Sequence, residues 1–322
     1  MKVAILGDLA PSGPAGPGRD AATGRPAAGR STIETAVLHA TAYADAFDWP
    51  LTATELHRYL PVRATPERVA TTVARMSTAS GAIEVSRGYV TLAGRGGLVT
   101  SRRLREAASR ALWPDALRCA RAVASLPFVR MVAVTGSLAV NGASLDADID
   151  LLVVTADGRL WVSRALAMGV VRAARLGSIR LCPNYLLAES AMELEDRSIF
   201  TAHELAQMVP VHGMAVYHEL MRRNDWYLEF LPNCGPATPG ARTGRVHRPG
   251  AFRRMAEAPL HAGVVDRVER WEMARKVAML SAVSSSAEAR YDATCCKGHA
   301  EEHGRRALAA FESRLRELGE GA

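Results

Sequence analysis

The sequence predicts a mixed chain of the α/β (α+β) class. A central mixed sheet with helices is preceded by a small helical unit with a hairpin and followed by a helical region. Three observations carry this. Strand-like runs at 131–135, 149–155 and 180–187 are separated in part by an apolar helical stretch, Leu160 to Leu176. Helix-start patterns crowd the segment from Ser31 to Thr65, before any of those runs. Helical periodicity returns near 262–284 and 299–318.

At 322 residues the chain is long enough for two domains or more. Apolar residues make up 48% and charged ones 23%, so a sizeable core is expected. The formal net charge is +7, and lysine occurs only at 2, 276 and 297, so arginine dominates. That balance fits an anionic ligand such as a nucleotide and is weak evidence for nucleic acid. Five cysteines (119, 182, 234, 295, 296) form an odd, irregular set, which argues against a secreted disulfide framework. The apolar run Val3 to Leu6 is too short for a signal segment, and Arg164 interrupts the best membrane candidate, Leu160 to Val171. A cytoplasmic protein without a membrane partner is expected.

Residues 1–30 are Pro, Gly, Ala and Arg-rich and are expected to be disordered, with Met1 to Asp8 as a stray strand-like run. The glycines at 13–18 imitate a phosphate loop, but no strand-turn-helix unit accompanies them. Residues 31–97 form the next unit. Ser31 with Glu34 and Thr52 with Glu55 are capping boxes, and Thr65-Pro66-Glu67 starts a third helix. Helices are placed near 32–47, 53–60 and 66–79, and Ile83 to Leu92 alternates around an Arg87-Gly88 turn. On the third helix Arg68, Thr71, Thr72 and Arg75 are placed outward. Residues 98–127 read as a helical connector, broken at Pro114, with its arginines (102, 103, 105, 110, 118, 121) as a solvated face.

Residues 128–235 hold the stretch that the rest serves. Met131 to Thr135 reads as a strand, Gly136-Ser137 breaks it, a short helix and loop follow, and Ile149 to Thr155 is a second strand. Asp146, Asp148 and Asp150 stand where that strand begins. Residues two apart share a strand face, roughly 6.6 Å apart along it. Two carboxylates so spaced can converge on one hard cation, and Mg²⁺ takes oxygen ligands, waters and substrate phosphates. Gly136 lets backbone approach a phosphate without a Cβ. Ser137 adds a hydroxyl near a helix start.

Gly-Ser, a loop, then Asp-x-Asp followed by apolar residues resembles the signature of the nucleotidyltransferase superfamily, with its DNA polymerase β-like fold. The resemblance places the Gly-Ser element at Gly136 and Ser137, and the paired metal ligands at Asp148 and Asp150. It implies Mg²⁺-dependent transfer of a nucleoside monophosphate from a nucleoside triphosphate to a hydroxyl acceptor, on a small molecule, protein or RNA. The three helices and hairpin of 31–97 resemble a winged helix. Its mildly basic outward face favours docking or dimerisation over reading DNA. The superfamily usually draws a third carboxylate from the strand at 180–187. Here Asn184 holds that position, on one face with Cys182 and Leu186, and becomes the third candidate metal ligand. Glu189 and Glu193 are the nearest acids.

Residues 195–227 are helical and polar-aromatic, with His203 and Gln207 spaced to line an acceptor pocket. Residues 236–250 read as a Pro/Gly/Arg linker and 251–322 as a C-terminal helical region. Cys295, Cys296, His299 and His303 imitate zinc spacing, but adjacent cysteines rarely close one tetrahedral site, so a buried pair is expected. The sequence thus points to a transferase. The alternative is a non-catalytic regulator that senses a nucleotide, in the manner of some toxin–antitoxin pairs, with DNA binding through the winged helix.

Overall fold

The structure is a computed structural model, and it describes residues 31–79, 81–236, 263–283, 289–298 and 303–320. The expectations for 1–30 and for most of the 236–250 linker lie outside these residues. Two open sheets organise the chain, one of three strands and one of six. Among the described residues no helix is long and apolar enough to cross a membrane.

The N-terminal unit runs α1 (Thr32–Asp45), β1 (Leu51–Thr52), α2 (Ala53–Arg58), α3 (Pro66–Ala79), β2 (Ile83–Ser86) and β3 (Tyr89–Leu92). Its capping signals fold as read. The Thr52 hydroxyl accepts from Glu55 N–H at 3.2 Å, and the Glu55 carboxylate accepts from Thr52 N–H at 2.9 Å. Arg87 and Gly88 both take positive φ, 52° and 84°, which matches a two-residue hairpin turn to the strand twist. The strands pair in the order β1-β3-β2. Val37, Leu38, Leu56, Leu60 and Val69 fill the core beneath them. Thr72 faces inward rather than outward. It is buried, and its hydroxyl is satisfied by the Arg68 carbonyl one turn back at 2.8 Å.

The connector forms one helix, α4 (Leu98–Ala124), and Pro114 does not break it. A mid-helix proline costs about 3 kcal/mol. Burial of Ala116, Ala120, Val123 and Ala124 in the main core offsets that cost. Nor are all its arginines solvated. Arg102 is fully buried, stacked 3.5 Å from the Trp49 ring centroid and bonded to Glu55, Glu106 and the Pro50 carbonyl.

The large sheet comprises β4 (Val129–Thr135), β5 (Ile149–Thr155), β6 (Leu181–Ala188), β7 (Val209–His212), β8 (Arg290–Tyr291) and β9 (Cys295–Lys297), ordered β7-β4-β5-β6-β9-β8. Only β5 and β6 are parallel, joined over α6 (Leu160–Leu176). Helices cover both faces, so central strands are apolar on both sides. Ile149, Leu151 and Val153 face α4, α6 and α10 (Gly263–Val283). Leu152 and Val154 face α7 (Ile199–Gln207), α8 (Met214–Arg223) and α9 (Tyr227–Phe230). Leu151 is wholly buried, so truncation to Ala costs about 2–5 kcal/mol.

The C-terminal region is not helical throughout. It lends β8 and β9 to the sheet, because Cys295 to Lys297 pair antiparallel with Leu187 to Tyr185. Strand alternation sends Cys295 and Cys296 into opposite core clusters, so the two thiols cannot share a metal. All five cysteines are free, and His299 lies outside the described residues.

The N-terminal unit is fastened to the large sheet through α7 and the chain after α9. Tyr43 stacks on His203 with centroids 3.9 Å apart. The Asn233 side chain accepts from Ala64 N–H and donates to the Leu60 and Val62 carbonyls. Asp45 at the end of α1 receives Arg95 Nε at 2.9 Å and Arg314 Nε, from α11 (His303–Glu317), at 2.7 Å.

Candidate functional site

The site begins where β4 ends. Thr135 pairs with Asp150 across the ladder, and the chain then turns at Gly136, which has φ +64°. A Cβ built on Gly136 would stand 2.5 Å from Asp150 Oδ2. Glycine is therefore required twice, by the backbone angle and by the carboxylate pressed against it. The short α5 (Gly136–Ala139) follows, with no side-chain cap from Thr135, and Ser137 is exposed. The loop beyond is held from outside. Trp113 Nε1 donates to Asn141, Ser109 Oγ accepts from Ala143 N–H, and the Trp49 ring lies against Gly142.

The three aspartates have three environments. Asp146 is fully exposed, and hydrogen bonds from Ser144 and its own backbone hold its carboxyl below the usual range. Asp148 Oδ1 sits 2.6 Å from Arg180 Nε. The oxygen lies off the N–H direction, so this is a charge contact without hydrogen-bond alignment. Arg180 Nη1 also donates to the Asp146 carbonyl at 2.9 Å, so one guanidinium straps the loop to the start of β6. Asp150 is half-buried. Burial first, then the charges of Asp148 and Glu204, raise its carboxyl to about 7. The Cys182 thiol, paired with Asp150 across β5 and β6, is pushed up to about 11 by burial and by both aspartates.

Asn184 lines a cavity with Thr135 and Leu152, by a route the alternation rule does not predict. The β5–β6 register slips between Leu151–Pro183 and Leu152–Tyr185, leaving Asn184 as the extra residue of a bulge. The common face expected for Cys182, Asn184 and Leu186 is therefore broken, and Leu186 packs in the α6 layer. Thr135, Asn184, Tyr185, Thr201 and Glu204 line a cavity of about 20 Å³, the size of one water. Glu189 is at the wrong end. It follows Ala188, the partner of Thr155, roughly 17 Å along the strand from Asp150. There it lies 3.7 Å from Arg130.

Helix α7 supplies a site residue one position away from the expected one. His203 is buried against Tyr43 and Tyr59, with Nδ1 donating to the Ile199 carbonyl at 2.9 Å. Burial drives its imidazole down to about 4, so it is neutral. Glu204, its neighbour, lines the cavity and adds the third negative charge near Asp150. Glu204 and Arg180 carried no local signal. Both belong to elements distant in sequence from the aspartates. Lys297 was also missed; it stands 5.4 Å over the Tyr185 ring.

A cation suits this arrangement. A half-exposed and a half-buried carboxylate stand near a third acid, and burial, with the neighbouring charges second, leaves Asp150 partly protonated at neutral pH. Among the described residues no three His, Cys, Asp or Glu side chains stand close enough to close a metal site by themselves. Asp148 and Asp150 could hold a hard cation only if it brings further oxygen ligands of its own. Comparison with protein families, with curated proteins and with solved structures returned no match.

Proposed function

We propose that the protein is a Mg²⁺-dependent nucleotidyltransferase that moves a nucleoside monophosphate from a nucleoside triphosphate to a hydroxyl acceptor. The observation that carries this reading is the Gly136 backbone pressed on Asp150, a carboxyl kept partly protonated by burial first and by Asp148 and Glu204 second. Such a site is short of one positive charge. Bound there, Mg²⁺ would neutralise triphosphate oxygens and the two aspartates together. Asp148 and Asp150 would hold the ion. Gly136 and Ser137 present exposed backbone to the phosphates. The acceptor oxygen attacks the α-phosphorus, the bond to the bridging oxygen breaks, and pyrophosphate leaves. Asn184 and Glu204, which line the small cavity beside Thr135, would face the acceptor. Strand, Gly-Ser, short helix, loop and Asp-x-Asp strand occur in the order of the resembled superfamily. The helix, strand, helix, helix, hairpin order of 31–97 supports the winged-helix reading in the same way.

Titration calorimetry tests the metal assignment. Triphosphate should bind the wild type with Mg²⁺ and lose most of its affinity without it, and the Asp148→Ala/Asp150→Ala protein should show no metal dependence. Equal, metal-independent binding in both proteins sinks the assignment.

One observation favours the nucleotide-sensing alternative. Arg180 already contacts Asp148, so the pair can serve as a closed state that a nucleotide opens. DNA reading gains less. On α3, Arg75 is engaged by Glu34 at 3.1 Å, and Thr72 is inside. A selection on random duplexes should return no enriched motif at physiological salt.

A further inference from the structure

The feature the transferase reading leaves unused is the outer face of α10. Its inner face packs Met273, Val277 and Leu280 on the main core, and Glu269 there accepts from the Trp161 and Val162 N–H groups at 2.8 and 2.7 Å. The outer face exposes Val264 (63%), Val268 (46%), Trp271 (63%) and Met279 (46%). An exposed tryptophan flanked by valines is a surface that solvent does not favour.

The spacing of that face is regular. Val264, Val268, Trp271, Arg275, Ala278 and Ala282 follow intervals of four and three, the seam along which a second helix packs. The seam is also graded. Bulky residues occupy its first half and alanines its last. Between them lie Trp271 and Arg275, with the guanidinium 5.1 Å from the indole centroid. Glu272 holds the same guanidinium at 2.6 Å, so the seam carries one cation already neutralised within its own helix.

We propose that this face is the contact between two copies of the chain, packed antiparallel about a two-fold axis through the middle of α10. A two-fold contact must be self-complementary, and this order of residues is. Val264 then meets Ala282 of the partner subunit, and Val268 meets Ala278 of the partner subunit. Trp271 lies on Arg275 of the partner subunit, a cation–π pair with the charge already matched by Glu272. Large opposes small at the two outer steps, so the helices approach closely there, and the flat indole and guanidinium stack at the centre. An acidic partner helix fits less well, because Arg275 has its carboxylate. One helical seam lies at the small end of specific interfaces, so the dimer dissociates at roughly micromolar concentration.

Sedimentation velocity of the full chain, over two decades around that concentration, is the test. The wild type should pass from monomer to dimer. Trp271→Glu and Ala278→Arg, both at exposed positions, should each raise the dissociation constant at least about tenfold with unchanged thermal unfolding of the monomer. Arg275→Lys, which keeps the charge and loses the planar stack, should weaken the dimer less than either. A wild type that stays monomeric throughout overturns the proposal. So does a dimer that both substitutions leave intact. A monomer that instead binds a synthetic glutamate-rich amphipathic helix through Trp271 would replace the second copy with an acidic partner.

Discussion

Asp45 is buried and Asp150 half-buried, and their neighbours make them opposites. Asp45, at the junction of α1, α4 and α11, is met by the guanidinium groups of Arg95 and Arg314. Asp150, at the start of β5, has the acids Asp148 and Glu204 as charged neighbours, and burial first, then those charges, raise its carboxyl to about 7. A carboxylate whose charge is matched inside the protein holds elements together. A carboxylate whose charge is opposed must be matched from outside, by a proton or a cation. Asp45 is thus a joint, and Asp150 a place for a ligand.

The largest expected effect breaks the Asp150 side. Asp150→Asn should lower transfer by about 10³-fold or more. Without metal, it should stabilise the fold. The folded-state carboxyl sits above its ordinary 3.8, so its contribution is lost as pH rises from 3.8 towards 7. At pH 8 removing that charge should add about 3 kcal/mol, read as a higher denaturant midpoint. A less stable variant would show that Asp150 is a joint too.

Asp45→Asn should do the reverse. It takes the shared carboxylate from two arginines, leaving Arg95 with Asp48 and Arg314 with Glu317. Each is about one third exposed, so solvent and the remaining anions soften the loss to about 1–2 kcal/mol. Transfer per folded molecule should stay near that of wild type. A Asp45→Asn protein that is fully stable but inactive would erase the distinction.

The stacked His203 extends the comparison to a cation. Its folded pKa, about 4, lies below the ordinary 6.5, so the unfolded chain binds the extra proton between these values. Stability should fall by about 2 kcal/mol as pH drops from 6.5 to 4.5. His203→Phe should flatten that part of the pH profile of chemical denaturation. An unchanged slope would mean that other groups set it.

The smallest effect concerns Arg180. Its pair with Asp148 is half exposed and worth about 0–1 kcal/mol. Arg180→Ala should therefore change Mg²⁺–triphosphate affinity by less than about fivefold. Tighter binding identifies Arg180 as a competitor of the metal, and weaker binding as a phosphate ligand.

What was legible in the sequence was local. Thr52 and Glu55, Arg87 and Gly88, and Gly136 with Asp150 each declare their geometry within a few residues or through strand spacing. What was illegible came from distant partners. No pattern tells that α7 turns Glu204 towards Asp150 and His203 towards Tyr43, since a helix face is set by what packs on it. The bulge at Asn184 defeats alternation, because an extra residue shifts every later side chain of β6 to the other face. Cys295 to Lys297 are too few to announce a strand, and β6 makes them one. Pro114 argued for a break that tertiary packing overruled.

Asp45 and Arg314 are 269 residues apart. At a ribosomal pace of roughly 5–20 residues per second, α1 waits on the order of tens of seconds for its second arginine. Throughout that interval Asp45 has Arg95 alone, and the aromatic ring of Phe311, which later meets Tyr43, does not yet exist. The N-terminal unit is therefore made before the large sheet and locked after it. A chain that stalls before α11 leaves Asp45 with one arginine instead of two and Tyr43 without the Phe311 ring.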